Sequence, residues 1–128
     1  MSASLYGIGE YSNYDIPRST TISGANSFMS LQEGDKVCKV IGSKVKELTI
    51  KHIKPCRGGY KITFTERGES ILLDCSASGN LTYQRGGHYC TDLNALKTHY
   101  IKQYERDIER YKSQIEACQR ELEFYRNL

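Results

Sequence analysis

The sequence predicts an α+β chain: a small antiparallel β-barrel or strongly curled sheet, followed by a long C-terminal coiled-coil helix. Two observations carry this. Between residues 31 and 90, short runs with a period of two recur about every ten residues and are separated by glycine-containing turns. After residue 91 the period changes. Ile101, Ile108, Ile115 and Leu122 fall seven apart, with Tyr104, Tyr111, Cys118 and Tyr125 three residues after each. That three-four spacing is the seam of a helix lying along another helix, because a straight helix repeats at 3.6 residues rather than 3.5.

Residues 1–30 read as an N-terminal arm, either flexible or ordered by a partner. Ser, Thr, Gly and Asn dominate, and Tyr6, Tyr11, Tyr14 and Ile16 show no sustained period. Such a stretch alone buries too little apolar area to offset its ordering entropy. Its three tyrosines and Phe28 are more aromatic than a linker requires.

Residues 31–90 read as the antiparallel β-domain, with five strands. Gly34-Asp35 supplies a turn into Val37–Ile41. In Val45–Ile53, Leu48, Ile50 and His52 share one face, with Lys46, Thr49 and Lys51 interleaved. Pro55 to Gly59 reverses the chain. Tyr60, Ile62 and Phe64 then alternate with Lys61, Thr63 and Thr65, the pattern of a strand with one wet face. Glu66-Arg67-Gly68-Glu69 is a hairpin turn into Ile71–Cys75, and Ser78-Gly79-Asn80 is a turn into Leu81-Thr82-Tyr83. Gly86-Gly87 reads as a break before the helix.

Residues 91–128 read as an oligomerising amphipathic helix. Thr91 or Asp92 suits the N-cap, and no Gly or Pro follows. At about 1.5 Å per residue the helix extends some 50 Å, so it projects from the β-domain or pairs with a second copy. With Ile101 at position a, Asp107 can meet Lys112 of a parallel partner, and Glu121 can meet Arg126. Exposed pairs of this kind bias orientation rather than drive assembly. Tyrosine at most d positions is bulky for a tight two-stranded seam, so packing on the sheet or a larger assembly stays open.

The net charge of +3 is unevenly spread. Residues 31–90 hold ten Lys or Arg against six Asp or Glu, whereas residues 91–128 hold seven of each. The β-domain is therefore mildly basic, short of the footprint of a duplex-DNA binder. Lys39, Lys44, Lys46, Lys51, Lys54, Arg57 and Lys61 face only Glu47 within their stretch. Beside Tyr60 and Tyr83 they could form a funnel for single-stranded nucleic acid, centred on Lys46, Lys51, Lys54, Arg57 and Lys61. Lysines on wet strands also serve as ordinary protection against edge aggregation. On the helix, Arg106 and Arg110, with Tyr104 or Tyr111, could hold a phosphate and stack a base. Alternatively they are solvated and balanced by Asp107 and Glu109.

Five cysteines without a CxxC do not form a disulfide framework or a zinc pattern, although His52, Cys56, His88, Cys90, Cys38 and Cys75 merit the comparison. GxGxxG, GxxxxGK[ST] and HExxH are absent, and no catalytic residue, metal or cofactor is assigned. No run is apolar enough to span a membrane, and the start lacks the form of a signal peptide. Free thiols fit the reducing cytoplasm of a host cell.

The stretches Gly34-Asp35-Lys36-Val37, Ile62–Gly68 and Ser78–Tyr83 resemble turn-strand units of small phage-encoded proteins. A β-sheet followed by a long C-terminal helix is also similar to the Thoeris anti-defence sponges. That resemblance implies oligomers that sequester a cyclic ADP-ribose signal without cleaving it. It would put Arg106 and Arg110 near phosphates, with Asn94 and a tyrosine such as Tyr104 or Tyr83 near the base. The expectation is a non-enzymatic, oligomeric phage protein that inhibits host defence by binding a small anionic nucleotide or a host protein. A single-stranded nucleic-acid accessory protein and a virion or assembly component are the alternatives.

Overall fold

The computed structural model describes residues 16–128. Six strands form one antiparallel, nearly closed barrel, and one long helix follows. The strands are β1 (Lys36–Ile41), β2 (Lys44–Cys56), β3 (Gly59–Phe64), β4 (Ser70–Asp74), β5 (Leu81–Gln84) and β6 (Gly87–Cys90), and the helix is α1 (Leu93–Arg126). Their order is β4-β3-β2-β1-β6-β5. A four-strand meander therefore receives a last hairpin on the free side of β1, leaving β4 and β5 as the two edges.

Alternation builds the interior. Val37, Leu48, Ile50, Ile62, Phe64, Ile71, Leu73 and Tyr89 point inward, joined by Phe28 from the segment before β1. Burying a side chain of this size is worth about 1.5–3 kcal/mol. The β1–β2 and β5–β6 turns have two residues each. The second, Arg85-Gly86, has positive φ at both positions (56° and 79°), as a type I′ turn requires.

Several expectations change. Residues 31–90 hold six strands rather than five. Gly87, expected in a Gly86-Gly87 break, instead opens β6 (Gly87–Cys90), which pairs with both β1 and β5. The fit at Gly87 is tight: a Cβ would stand 3.3 Å from the Lys39 chain and 3.4 Å from the Val40 carbonyl. The face of β2 also switches. A bulge lies between Ile50 and His52, so Ile53 packs against the core while His52 is half-exposed beside Glu33 at 3.7 Å. A bulge inserts one unpaired residue and so shifts the period-two pattern by one.

The arm expected over residues 1–30 is no arm from residue 16 onward; residues 1–15 lie outside the described residues. Ile16, Ile22 and Phe28 are buried. Thr20 bridges to Leu81, and the Asn80 side chain accepts from Ile22 N–H (2.9 Å) and donates to the carbonyls of Ile22 (2.9 Å) and Ala25 (3.0 Å). A polar loop lacking its own ladder is thus held by a 1 % exposed asparagine that behaves as a backbone surrogate.

Helix α1 begins where the sequence indicates. The Asp92 carboxylate accepts the Ala95 N–H at 3.0 Å, an N-cap bond, while the Thr91 hydroxyl is turned to the Asn26 carbonyl.

Candidate functional site

Two surfaces have unusual chemistry, one in each compact unit of the described residues, which divide between Leu96 and Lys97.

The first is the helix stripe. Ile101, Tyr104, Ile108, Tyr111, Ile115, Leu122 and Tyr125 are each 50–65 % exposed, and Cys118 is exposed too. An unbroken apolar seam of this length is what a helix presents to a partner. Tyr111, Ile115, Cys118 and Leu122, flanked by Gln114 and Gln119, line an open hollow along it. Two of the flanking charge pairs form within the helix: Arg110 meets Asp107 at 3.4 Å, and Lys112 meets Glu109 at 3.5 Å.

The ligand residues suggested by resemblance are scattered. Arg106 is exposed, and the Arg110 guanidinium lies 4.9 Å from the centre of the Tyr111 ring. Tyr104 is paired with Tyr100 at 6.1 Å between ring centres. Asn94 is twelve residues before Arg106, about 18 Å along a helix axis, so one copy does not gather them around a small molecule. Tyr83 is exposed on β5, its ring 4.7 Å from that of His88.

The second surface is a groove on the barrel. Two depressions, of about 440 and 460 Å³, share Lys61, Ser70 and Arg85. Lys51 and Arg67 complete the cations of one, while Pro17, Leu72 and Gln84 belong to the other. Of the five cations expected to act together, Lys51 and Lys61 line this groove. Lys54 stands directly across from Lys61 in the sheet register. Lys46 and Arg57 do not line it; Lys46 faces Lys39 across β1, and Arg57 is in the β2–β3 turn.

Lys39 leaves the wet cationic face altogether. It is 8 % exposed, and its ammonium binds both oxygens of Glu69 (2.8 and 3.1 Å). The Tyr89 hydroxyl donates to the same carboxylate at 3.1 Å. The Glu69 bond raises the Lys39 pKa against the opposing effect of burial. Burial pushes Glu69 up, but the bonds from Lys39 and Tyr89 outweigh it and hold this carboxyl below its ordinary value. Glu66 is also held low, chiefly by accepting the Thr49 N–H at 3.0 Å.

Sequence reasoning missed Arg67, Gln84 and Arg85. One signal was legible. Arg85-Gly86 occupies the centre of a two-residue hairpin, where Asn-Gly is the usual choice, so an arginine there is costly unless its side chain is used.

Burial disfavours the thiolate at Cys38 and Cys90. Cys38 and Cys90 are directly opposed across β1 and β6; burial pushes Cys90 up to about 12 and raises Cys38 as well. Burial also lowers the pKa of His88. Among the described residues, no three His, Cys, Asp or Glu side chains gather as a metal site. No helix there is long and apolar enough to cross a membrane. Together, fold and surfaces define a small antiparallel barrel carrying a helix with an open apolar seam. No protein-family model, curated protein or solved structure matches the chain.

Proposed function

We propose that this chain is a non-enzymatic, homo-oligomeric binding protein of the host-cell cytoplasm. It assembles through residues 91–128 and acts by capturing a small anionic nucleotide or by covering a host protein surface. The observation that carries the reading is the exposed seam from Ile101 to Tyr125. Four heptads of half-exposed isoleucine, leucine and tyrosine have a large hydrophobic incentive to meet copies of themselves, at roughly 25 cal/mol per Å² removed from water. The anti-defence direction of the reading comes from the likeness to sequestering phage proteins.

The test is molar mass by light scattering across a hundredfold range of concentration, together with native mass spectrometry of protein taken from its host. A multiple of 14.6 kDa with a retained anionic molecule or host protein fits the reading. A single-chain mass throughout excludes it. A second reading, as an accessory protein for single-stranded nucleic acid, is favoured by the joint position of Lys51 and Lys61 in one groove. Salt-dependent retention of single strands tests that alternative.

A further inference from the structure

We infer that the groove beside the barrel seam is a binding site for a phosphate-bearing ligand, held by Lys51, Lys61, Arg67 and Arg85. The inference deepens the binding reading above, on which it rests for the ligand's negative charge, and it moves the site from the helix to the barrel.

The charge balance favours an anion. The groove collects four cations against two carboxylates, Glu66 and Glu69. Glu69 is already neutralised by Lys39, with both oxygens occupied. Among the described residues, the side chains of Lys51, Lys61 and Arg67 make no ion pair or hydrogen bond with protein. Their donors are left for solvent or a ligand.

Arg85 supplies the second argument. It is the non-glycine residue with positive φ among those described, at 56°. That conformation is costly for a side chain with a Cβ. The guanidinium uses only Nη1 on protein, reaching the Ser70 carbonyl (3.3 Å), the Ser70 hydroxyl (3.2 Å) and, at the limit, the Gly68 carbonyl (3.5 Å). Those bonds orient the guanidinium plane, and Nη2 and Nε have no protein acceptor among the described residues. An arginine fixed by one nitrogen, with others open, is arranged for two-point binding of an oxyanion.

Size and lining narrow the class. Depressions of about 440 and 460 Å³ are within the range of small-ligand sites. Thr63 and Ser70 add hydroxyl donors. Phe64, the aromatic residue of the lining, is only 3 % exposed, so the groove offers no open ring on which to stack a base. Recognition is therefore through phosphate oxygens, whether from a free nucleotide or from a strand backbone.

The test is calorimetric titration of the full chain with inorganic pyrophosphate, with ADP, and with an eight-residue oligothymidylate. Lys61→Gln and Arg85→Asn are the groove variants; asparagine suits the turn and so preserves the hairpin. Each should weaken whichever probe binds by at least tenfold while light-scattering mass and circular dichroism stay unchanged. Tight binding of pyrophosphate and ADP identifies a small ligand; binding of the strand alone identifies a nucleic-acid backbone. Affinity that survives both groove variants overturns the site. If it survives them but is lost in Arg110→Gln, the ligand is on the helix and the binding reading stands without the groove. Absence of binding by all three probes also overturns the site, and the mass measured on the same sample then decides the oligomer separately.

Discussion

The side chain of Gln84 and the backbone of Leu72 exchange two hydrogen bonds across the one gap in the barrel. The carboxamide accepts the Leu72 N–H at 2.9 Å and donates to the Leu72 carbonyl at 3.0 Å. A peptide unit of a seventh strand would make the same pair. Edge strands β4 and β5 are thereby joined without a ladder, and a further bond to the Thr82 hydroxyl (3.0 Å) fixes the amide orientation. Closing an edge in this way removes a template for pairing with other chains.

Gln84→Ala should therefore destabilise the fold by about 1–3 kcal/mol, the cost of leaving half-buried polar groups unmatched. The sharper readout is hydrogen exchange at Leu72, whose amide should lose protection selectively. Gln84→Glu keeps the acceptor but removes the donor, so it should fall between Ala and the native residue at neutral pH. Unchanged exchange at Leu72 in the alanine variant would show that the seam closes by other means.

A second prediction concerns pH. Glu69 has a lowered pKa in the fold, so its contribution is present above the ordinary carboxyl value and lost as pH falls through the depressed one. Lys39 and Tyr89 have raised pKa values, so their contribution is present below their ordinary values and lost as pH rises through the raised ones. Stability should fall on the far alkaline side and on the acid side, where the lowered His88 pKa starts the decline in the ordinary imidazole range and the carboxyls extend it. Lys39→Met should cost about 3 kcal/mol at pH 7, because it strands a mostly buried carboxylate. In Glu69→Gln the acid loss should shrink. Urea midpoints at pH 7 and pH 3 read both effects; equal acid losses in native protein and Glu69→Gln would refute the assignment.

Asn80 tests whether residues 16–30 belong to the barrel. Three hydrogen bonds from one nearly inaccessible side chain hold Ile22 and Ala25 in place. Asn80→Ala should cost about 2–3 kcal/mol and free that segment, bringing early cleavage by protease between residues 16 and 30. Asn80→Asp retains the acceptor, but it places a carboxylate against two carbonyls and should be no better. Resistance equal to native protein would mean that buried Ile22 and Phe28 suffice alone.

How far the sequence was legible depends on which force dominates locally. The helix seam could be read because a 3.5-residue period survives any context, and β3 because Tyr60, Ile62 and Phe64 alternate without interruption. Asp92 could be read as a cap from residue type alone. Lys39 could not, since a lysine in an alternating strand reads as wet until a distant Glu69 and Tyr89 supply partners. The bulge after Ile50 and the role of Gly87 in β6 were hidden for the same reason: both depend on the neighbouring strand, not on local preference. The groove joins residues from β2, β3, β4 and two turns, so no spacing in the chain announces it.

The proposed assembly through α1 can be parallel or antiparallel, and Cys118 distinguishes the two. In a parallel, in-register pair, each d residue faces its own counterpart, so Cys118 would stand opposite Cys118 of a second copy, within reach of a disulfide. Mild oxidation with diamide, which takes two thiols to a disulfide and is itself reduced to the hydrazine, should give a covalent dimer. Cys118→Ser should abolish it; Cys75, the other exposed thiol, should not substitute. An antiparallel pair mixes a with d layers and sets Cys118 against isoleucine or leucine, leaving the thiols apart. Asp107, Lys112, Glu121 and Arg126 favour the parallel case, but such exposed pairs contribute only tenths of a kcal/mol and Asp107 already has Arg110 beside it. The apolar layers must then supply the drive, so raising salt should leave the mass unchanged. Ile108→Asp with Ile115→Asp should return a 14.6 kDa species that retains its barrel, read by light scattering and circular dichroism together.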